Sequence, residues 1–91
     1  MDARSDIFSL GITIYELFTG VHPFNGADTK EIQRNIRNSR YRVEPASRHN
    51  PEIPAALDKI LLKALRRKPE SRYQSITEML LDLTRIAESR I

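Results

Sequence analysis

Between Asp6 and Phe18 only four side chains are polar, Asp6, Ser9, Thr13 and Glu16, and steps of three, four and three residues stack them in one narrow stripe. Residues at such steps share a helix face. The pattern therefore predicts a helix over about Ser5 to Thr19 that is apolar around most of its girth. Ile7, Leu10, Ile14, Leu17 and Phe18 line one side of it, and Phe8, Ile12 and Tyr15 another. Such a helix is stable only when other elements surround it. The whole chain has 91 residues, which allows one small domain that buries roughly 60–65% of its surface. The helix demands more cover than a chain of this length readily supplies.

The start and stop signals of this helix are explicit. Ser5 is the expected N-cap, with a hydroxyl to accept an orphan backbone N–H. Asp6 follows in the first turn, where the helix dipole favours an anion. Gly20 can close the helix in the left-handed conformation, and Pro23 prevents it from resuming.

Three more helices are predicted. Asp28-Thr29-Lys30-Glu31 resembles a capping box and opens one over about 29–38. Only Ile32 and Ile36 give it an inner face, so it belongs at the periphery. Residues 39–53 then form a long loop held by Pro45 and Pro51, a length that usually signals function or mobility. The third helix covers about 54–67, starting at Pro54 or Ala55, since Pro is suited to a first helical position. Leu57, Ile60, Leu61, Ala64 and Leu65 make its face, and Pro69 ends it. Ser75-Ile76-Thr77-Glu78 caps the fourth, over about 75–88, where Ile76, Met79, Leu80, Leu83, Ile86 and Ala87 make the apolar stripe. No stretch alternates long enough for a strand. The expected fold is all-α, with four helices over 5–19, 29–38, 54–67 and 75–88.

Composition excludes several chemistries. There is no Cys, hence no disulfide, no thiolate nucleophile and no Cys-based zinc site. No apolar run reaches the ~18–20 residues that span a bilayer. Met1 is followed by Asp2 and Arg4 rather than a basic and then apolar stretch, so a secretory leader is not expected. A cytoplasmic location is the expectation. The net charge is +3, concentrated in Lys30, Arg34, Arg37, Arg40, Arg42 and Arg48, and again in Lys63, Arg66, Arg67 and Lys68. These clusters read either as a surface for an acidic partner or as solvated helix faces and cations at helix C-termini. No nucleic-acid motif accompanies them and no aromatics are interleaved, so nucleic acid is not an expected partner.

The run Ser5-Asp6-Ile7-Phe8-Ser9-Leu10-Gly11-Ile12-Thr13-Ile14-Tyr15-Glu16-Leu17-Phe18-Thr19-Gly20, followed by Pro23-Phe24, closely resembles the buried central helix of the C-terminal lobe of eukaryotic-type protein kinases. Ala64-Leu65-Arg66-Arg67-Lys68-Pro69-Glu70-Ser71-Arg72-Tyr73 resembles the closing segment of that domain, and 75–83 its last helix. The order and separation of the blocks also fit, and the resemblance covers essentially the whole chain. The opening Asp-Ala-Arg-Ser-Asp-Ile is most similar to bacterial-type serine/threonine kinases. Chain 1–91 is thus identified as a partial protein kinase domain, the C-terminal part of its large lobe.

The resemblance implies structural roles. Asp6 corresponds to the helix-start Asp that accepts backbone N–H groups of the catalytic loop. Gly11 falls in the Leu-Gly pair of the motif. Leu17 corresponds to part of an apolar floor beneath the nucleotide side. Arg72 corresponds to the Arg that pairs with the Glu of an Ala-Pro-Glu motif. That Glu is not in this sequence, so Arg72 is expected to turn to water or to Glu70 or Glu78. Phe8 stands where the family often has Trp, and Thr13 where a more apolar residue is frequent. Glu16 lies near where some kinases read basic substrate residues, and is equally the exposed end of the polar stripe. The stretch 29–48 resembles a region that kinases use to dock substrates or regulators.

Phosphoryl transfer of the kinase type needs a Gly-rich loop, a phosphate-pairing Lys, a catalytic Asp, and an Asp and Asn for Mg²⁺. Gly11, Gly20 and Gly26 make no Gly-x-Gly, neither His22 nor His49 precedes Arg-Asp, and no Asp-Phe-Gly or Ala-Pro-Glu occurs. No catalytic, cofactor-binding or metal-ligating residue is therefore assigned. ATP and Mg²⁺ are implied for an intact kinase, not for this segment. His22 and His49 read as loop histidines, without the further ligands a metal requires. Ser9, Ser39 and Ser71 have no evident base to make them nucleophiles. Two functions remain: an inactive segment of a serine/threonine kinase whose partner is the rest of its domain, or a short stand-alone helical interaction module with a kinase-like lobe.

Overall fold

The computed structural model describes residues 2–89. Among them lie four α-helices, α1 (Ala3–Thr19), α2 (Thr29–Arg37), α3 (Ala55–Ala64) and α4 (Ile76–Ser89), with 3₁₀ turns at Ala46–Arg48 and Pro69–Ser71. No strand occurs among the described residues, and the fold is all-α.

The cap of α1 is Asp2, not Ser5. Asp2 is extended, and its carboxylate accepts the Arg4 N–H at 2.8 Å. The Arg4 guanidinium holds the same carboxylate at 2.9 Å. A full negative charge at a helix N-terminus outcompetes a hydroxyl, so the helix starts earlier and Ser5 lies inside it. The far end follows expectation. Gly20 sits at φ 74°, and its N–H donates to the Glu16 carbonyl at 2.8 Å. The Asn50 side-chain amide adds a bond to the Phe18 carbonyl at 3.0 Å.

Helix α2 opens as its capping pattern predicts, with the Asp28 carboxylate accepting the Glu31 N–H at 2.9 Å. Its C-terminus is held by a residue from another element. Arg67 donates to the carbonyls of Ile36, Asn35 (3.2 Å) and Tyr41 (3.0 Å), a cation on the negative end of a helix dipole.

Helix α3 is shorter than predicted. It begins at Ala55, one of the two expected starts, with Pro54 as its cap, and ends at Ala64 rather than at Arg67. Pro69 accounts for part of this, because its ring conflicts with the carbonyl four residues earlier and constrains the residue before it. The carbonyls just past its end find a side-chain donor. Arg72 Nε donates to the Arg66 carbonyl at 2.5 Å and Nη2 to the Arg67 carbonyl at 3.1 Å. In α4 the Ser75 hydroxyl accepts the Glu78 N–H at 3.1 Å, as the capping pattern requires.

Helices α1 and α3 form the centre. They pack closely at Gly11, where a Cβ would lie 3.1 Å from Ala64 Cβ and 3.2 Å from Leu65 Cδ2. One core cluster gathers Tyr15, Phe24, Ala46, Ile53, Leu61 and Leu65; the other joins Ile7, Ile60, Ala64, Tyr73 and Met79. The loop over 39–53 is fastened to both central helices. The Tyr15 hydroxyl donates to the Glu44 carbonyl at 2.7 Å, and the Ser47 N–H donates to Asp58 Oδ1 at 2.9 Å.

The molecule extends 42 × 31 × 19 Å. Its thin dimension holds only about two helix diameters, so α1 cannot be enclosed on all sides. It buries a single line, Ile7, Gly11 and Tyr15. The expectation of a helix covered around most of its girth is not met within these residues.

Candidate functional site

Asp6, Leu10, Thr13 and Leu17 follow one another at steps of four, three and four, which aligns them along one side of α1. The line is about 16 Å long at the rise of an α-helix. Asp6, Thr13 and Leu17 are exposed, as are Ser9 and Glu16 beside them. The Asp6 carboxylate takes no hydrogen bond and no ion pair among the described residues. At the other end Leu17 is 77% exposed and Phe18 47%. Burying a Leu is worth about 1.5–3 kcal/mol, so this end of the helix forgoes a large term. On α4 the predicted stripe also divides. Met79 is buried and Leu83 and Ile86 pack beside it, whereas Ile76 and Leu80 stay exposed at 36% and 51%. The sequence marked the apolar side chains on both helices; only half of each face finds a neighbour here.

Arg72 lies at the start of α1. Besides the two carbonyls at the end of α3, its Nη1 donates to the Arg4 carbonyl at 3.3 Å. Its guanidinium carbon stands 4.5 Å from the centre of the Phe8 ring. Three of its five N–H donors are thus engaged, none by a carboxylate. The expectation that Arg72 turns to water or to Glu70 or Glu78 is corrected: the backbone carbonyls of Arg66, Arg67 and Arg4 hold it. Burial, followed by the nearby Arg4, lowers its pKa, while its five-donor fork still favours the charged form.

Two buried tyrosines fix the opposite ends of the core. Burial, and secondarily the charge of Glu44, pushes the Tyr15 phenol up to about 12. Tyr73 donates to Asp82 Oδ2 at 2.8 Å, and Lys63 Nζ lies 4.3 Å from its ring centre. Burial again, with the Asp82 hydrogen bond, raises its pKa.

The remaining sequence candidates stay apart. His22 Nδ1 accepts the Phe24 N–H at 3.0 Å, and His49 Nε2 stands 3.7 Å from Glu44 Oε2. No group of three or more His, Asp or Glu side chains that could hold a metal ion gathers among the described residues. Ser9, Ser39 and Ser71 make no side-chain bond to a histidine there. No helix of the described residues is long and apolar enough to cross a membrane. Two residues that organise the structure escaped the sequence reading. Arg67 is visible in the sequence only as one cation in a cluster, and Asp58 carries no signal that singles it out. Their partners lie eleven or more residues away, beyond any local pattern.

With this geometry in hand, similarity to known proteins can be placed on it. The sequence pattern of the family described as protein kinase domain matches residues 1–82. The chain is 39% identical over 90 residues to the serine/threonine-protein kinase PknB of Mycolicibacterium smegmatis, covering 99% of this chain and 14% of that protein. It is 41% identical over 87 residues to PknB of Mycobacterium tuberculosis, covering 94% and 13%. A probable serine/threonine-protein kinase of Clostridium acetobutylicum matches at 35% identity over 91 residues, covering 100% and 14%. The chain thus spans about one seventh of the length of these curated relatives.

Proposed function

The chain belongs to the protein kinase domain family, and from that premise we propose that it is the C-terminal part of the large lobe of a bacterial-type serine/threonine kinase, a scaffold without chemistry of its own. In the intact kinase the reaction is transfer of the ATP γ-phosphoryl group to a protein Ser or Thr. ATP and Mg²⁺ are held by segments outside this chain, and the partner of this chain is the rest of the domain. A reaction that draws on ATP places these residues in the cytoplasm.

The observation that carries this reading is the open line on α1. A free carboxylate, Asp6, stands at the positive end of the helix, ready to accept backbone N–H groups of a catalytic loop. About 16 Å along the same side, the exposed Leu17 offers an apolar seat beneath the nucleotide. Arg72, with two N–H donors uncommitted, can add a carboxylate from the end of an activation segment without releasing its carbonyls. Gly11 keeps α1 and α3 close enough to hold both ends in register. Residues 29–48, on and after the peripheral α2, provide a surface for protein substrates or regulators, and nucleic acid is not among the partners.

Calorimetric titration of the purified chain with Mg²⁺-ATP, together with a radiolabelled ATP transfer assay, tests this. Neither transfer nor nucleotide binding beyond what inorganic phosphate alone gives is expected, and clear turnover would overturn the reading. One observation favours a second reading, a stand-alone interaction module. The described residues form two core clusters of their own and leave no buried side-chain polar atom unpartnered. A folded monomer with sharp dispersed NMR signals supports that alternative; self-association through the Leu17 face supports the segment.

A further inference from the structure

The two basic clusters of the sequence meet in space. A cleft of about 380 Å³ lies between the loop after α2 and the end of α3. Ser39 and Arg42 line one wall, and Arg66, Arg67, Lys68 and Ser71 the other. Four cations and two serine hydroxyls, with Tyr41 beside them, thus face one space with no carboxylate in its lining. The larger groove between α3 and α4, about 610 Å³, shows the contrast. There Lys59 and Arg66 also line the wall, but Asp82 lies among them and pairs with Arg85, and Lys63 pairs with Glu78, each at 3.4 Å, so that lining is mixed in charge. In the smaller cleft Arg67 is spent on backbone carbonyls and serves as wall. Arg66 commits one donor to the Ser71 carbonyl at 2.9 Å. Arg42 and Lys68 are exposed and have no acidic partner among the described residues.

We propose that this cleft is a binding site for a phosphate monoester dianion. Such a group carries about −1.5 to −2 charges and three strong acceptor oxygens, which match Arg42, Lys68, the remaining donors of Arg66 and the two serine hydroxyls. A carboxylate brings one charge and two oxygens and leaves more of these donors unanswered. The cleft is apolar toward Phe24 and Leu65, which seats the carbon stem of the ester. Its source is either a phosphorylated Ser or Thr side chain of a peptide or free phosphate. The inference rests on the charge and shape of the cleft and does not depend on the kinase reading.

Equilibrium dialysis of the full chain against radiolabelled inorganic phosphate, and competition with a phosphoserine peptide and its unphosphorylated twin, test it at constant ionic strength. Saturable binding is expected. Replacing Arg42→Ala and Lys68→Ala together should weaken it about tenfold or more. Both residues are exposed, and an unchanged far-ultraviolet circular dichroism spectrum confirms that the variant folds. Lys30→Ala with Arg34→Ala on α2 removes the same charge outside the cleft lining and should leave binding within about twofold. Stronger competition by the phosphopeptide than by phosphate assigns the peptide source; equal competition assigns free phosphate. Absence of saturable binding, equal competition by chloride, or equal weakening by the two double variants would overturn the site.

Discussion

Gly11 is where a single missing side chain sets the distance between the two central helices. A Cβ there meets Ala64 Cβ at 3.1 Å, on a neighbouring helix that cannot rotate it away. Gly11→Val should therefore destabilise by about 1–3 kcal/mol through overpacking. Gly11→Ala should cost less, because about 1 kcal/mol of helix propensity offsets the tight contact. Denaturant melts of the two variants, which should rank Val below Ala, check this. Tyr15 is a second single-residue control. Its phenol holds its proton more tightly when folded, with a pKa of about 12 against 10.0. The folded state then binds more protons than the unfolded state between these values, so stability falls as pH rises through them. The contribution is complete below pH 10 and lost by about 12. Melting curves across that range should show the decline in the native chain and a shallower one in Tyr15→Phe. Tyr73, also raised, keeps the variant from becoming flat.

Elements in this chain are joined by arginines that reach for carbonyls. Arg72 ties the end of α3 to the start of α1, and a lysine cannot reproduce its fork. Arg72→Lys should lower stability by about 1.5–3 kcal/mol, the range for hydrogen bonds to a charged group. Arg67→Ala should act locally. Amide hydrogen exchange over 29–41 should accelerate while α1 and α3 keep their protection, because α2 has no fully buried residue of its own. These ties also explain what was legible in the sequence. Caps with a local signature, Asp28, Ser75 and Gly20, were readable because their partners lie within four residues. The Ser5 cap was misread because a carboxylate three residues earlier competes for the same role. The end of α3 was misplaced because it depends on Arg72, and the fastening of the loop over 39–53 was hidden because Tyr15 and Asp58 reach it from other helices.

For the molecule as a whole, the decisive property is a central helix covered on one side only. The sequence announced the apolar girth of α1. It could not announce which half of the girth this segment covers, since that follows from the crossing with α3. Leu17 is already exposed, so Leu17→Glu should change the stability of the isolated chain by less than about 0.5 kcal/mol, as a thermal melt would show. On the proposed role of Leu17 as an apolar seat, the same change should disrupt a complete kinase domain, because burying a charge costs several kcal/mol. On the proposed function, this chain acts only when joined to the rest of a kinase domain. The direct measurement joins residues 2–89 to the preceding part of the kinase domain of PknB from Mycolicibacterium smegmatis and assays ATP-dependent phosphorylation of a protein substrate. Transfer by the chimera, its loss on Leu17→Glu, and none by the chain alone are expected. Transfer by the isolated chain, or a folded but inactive chimera beside an active PknB domain, would contradict that function.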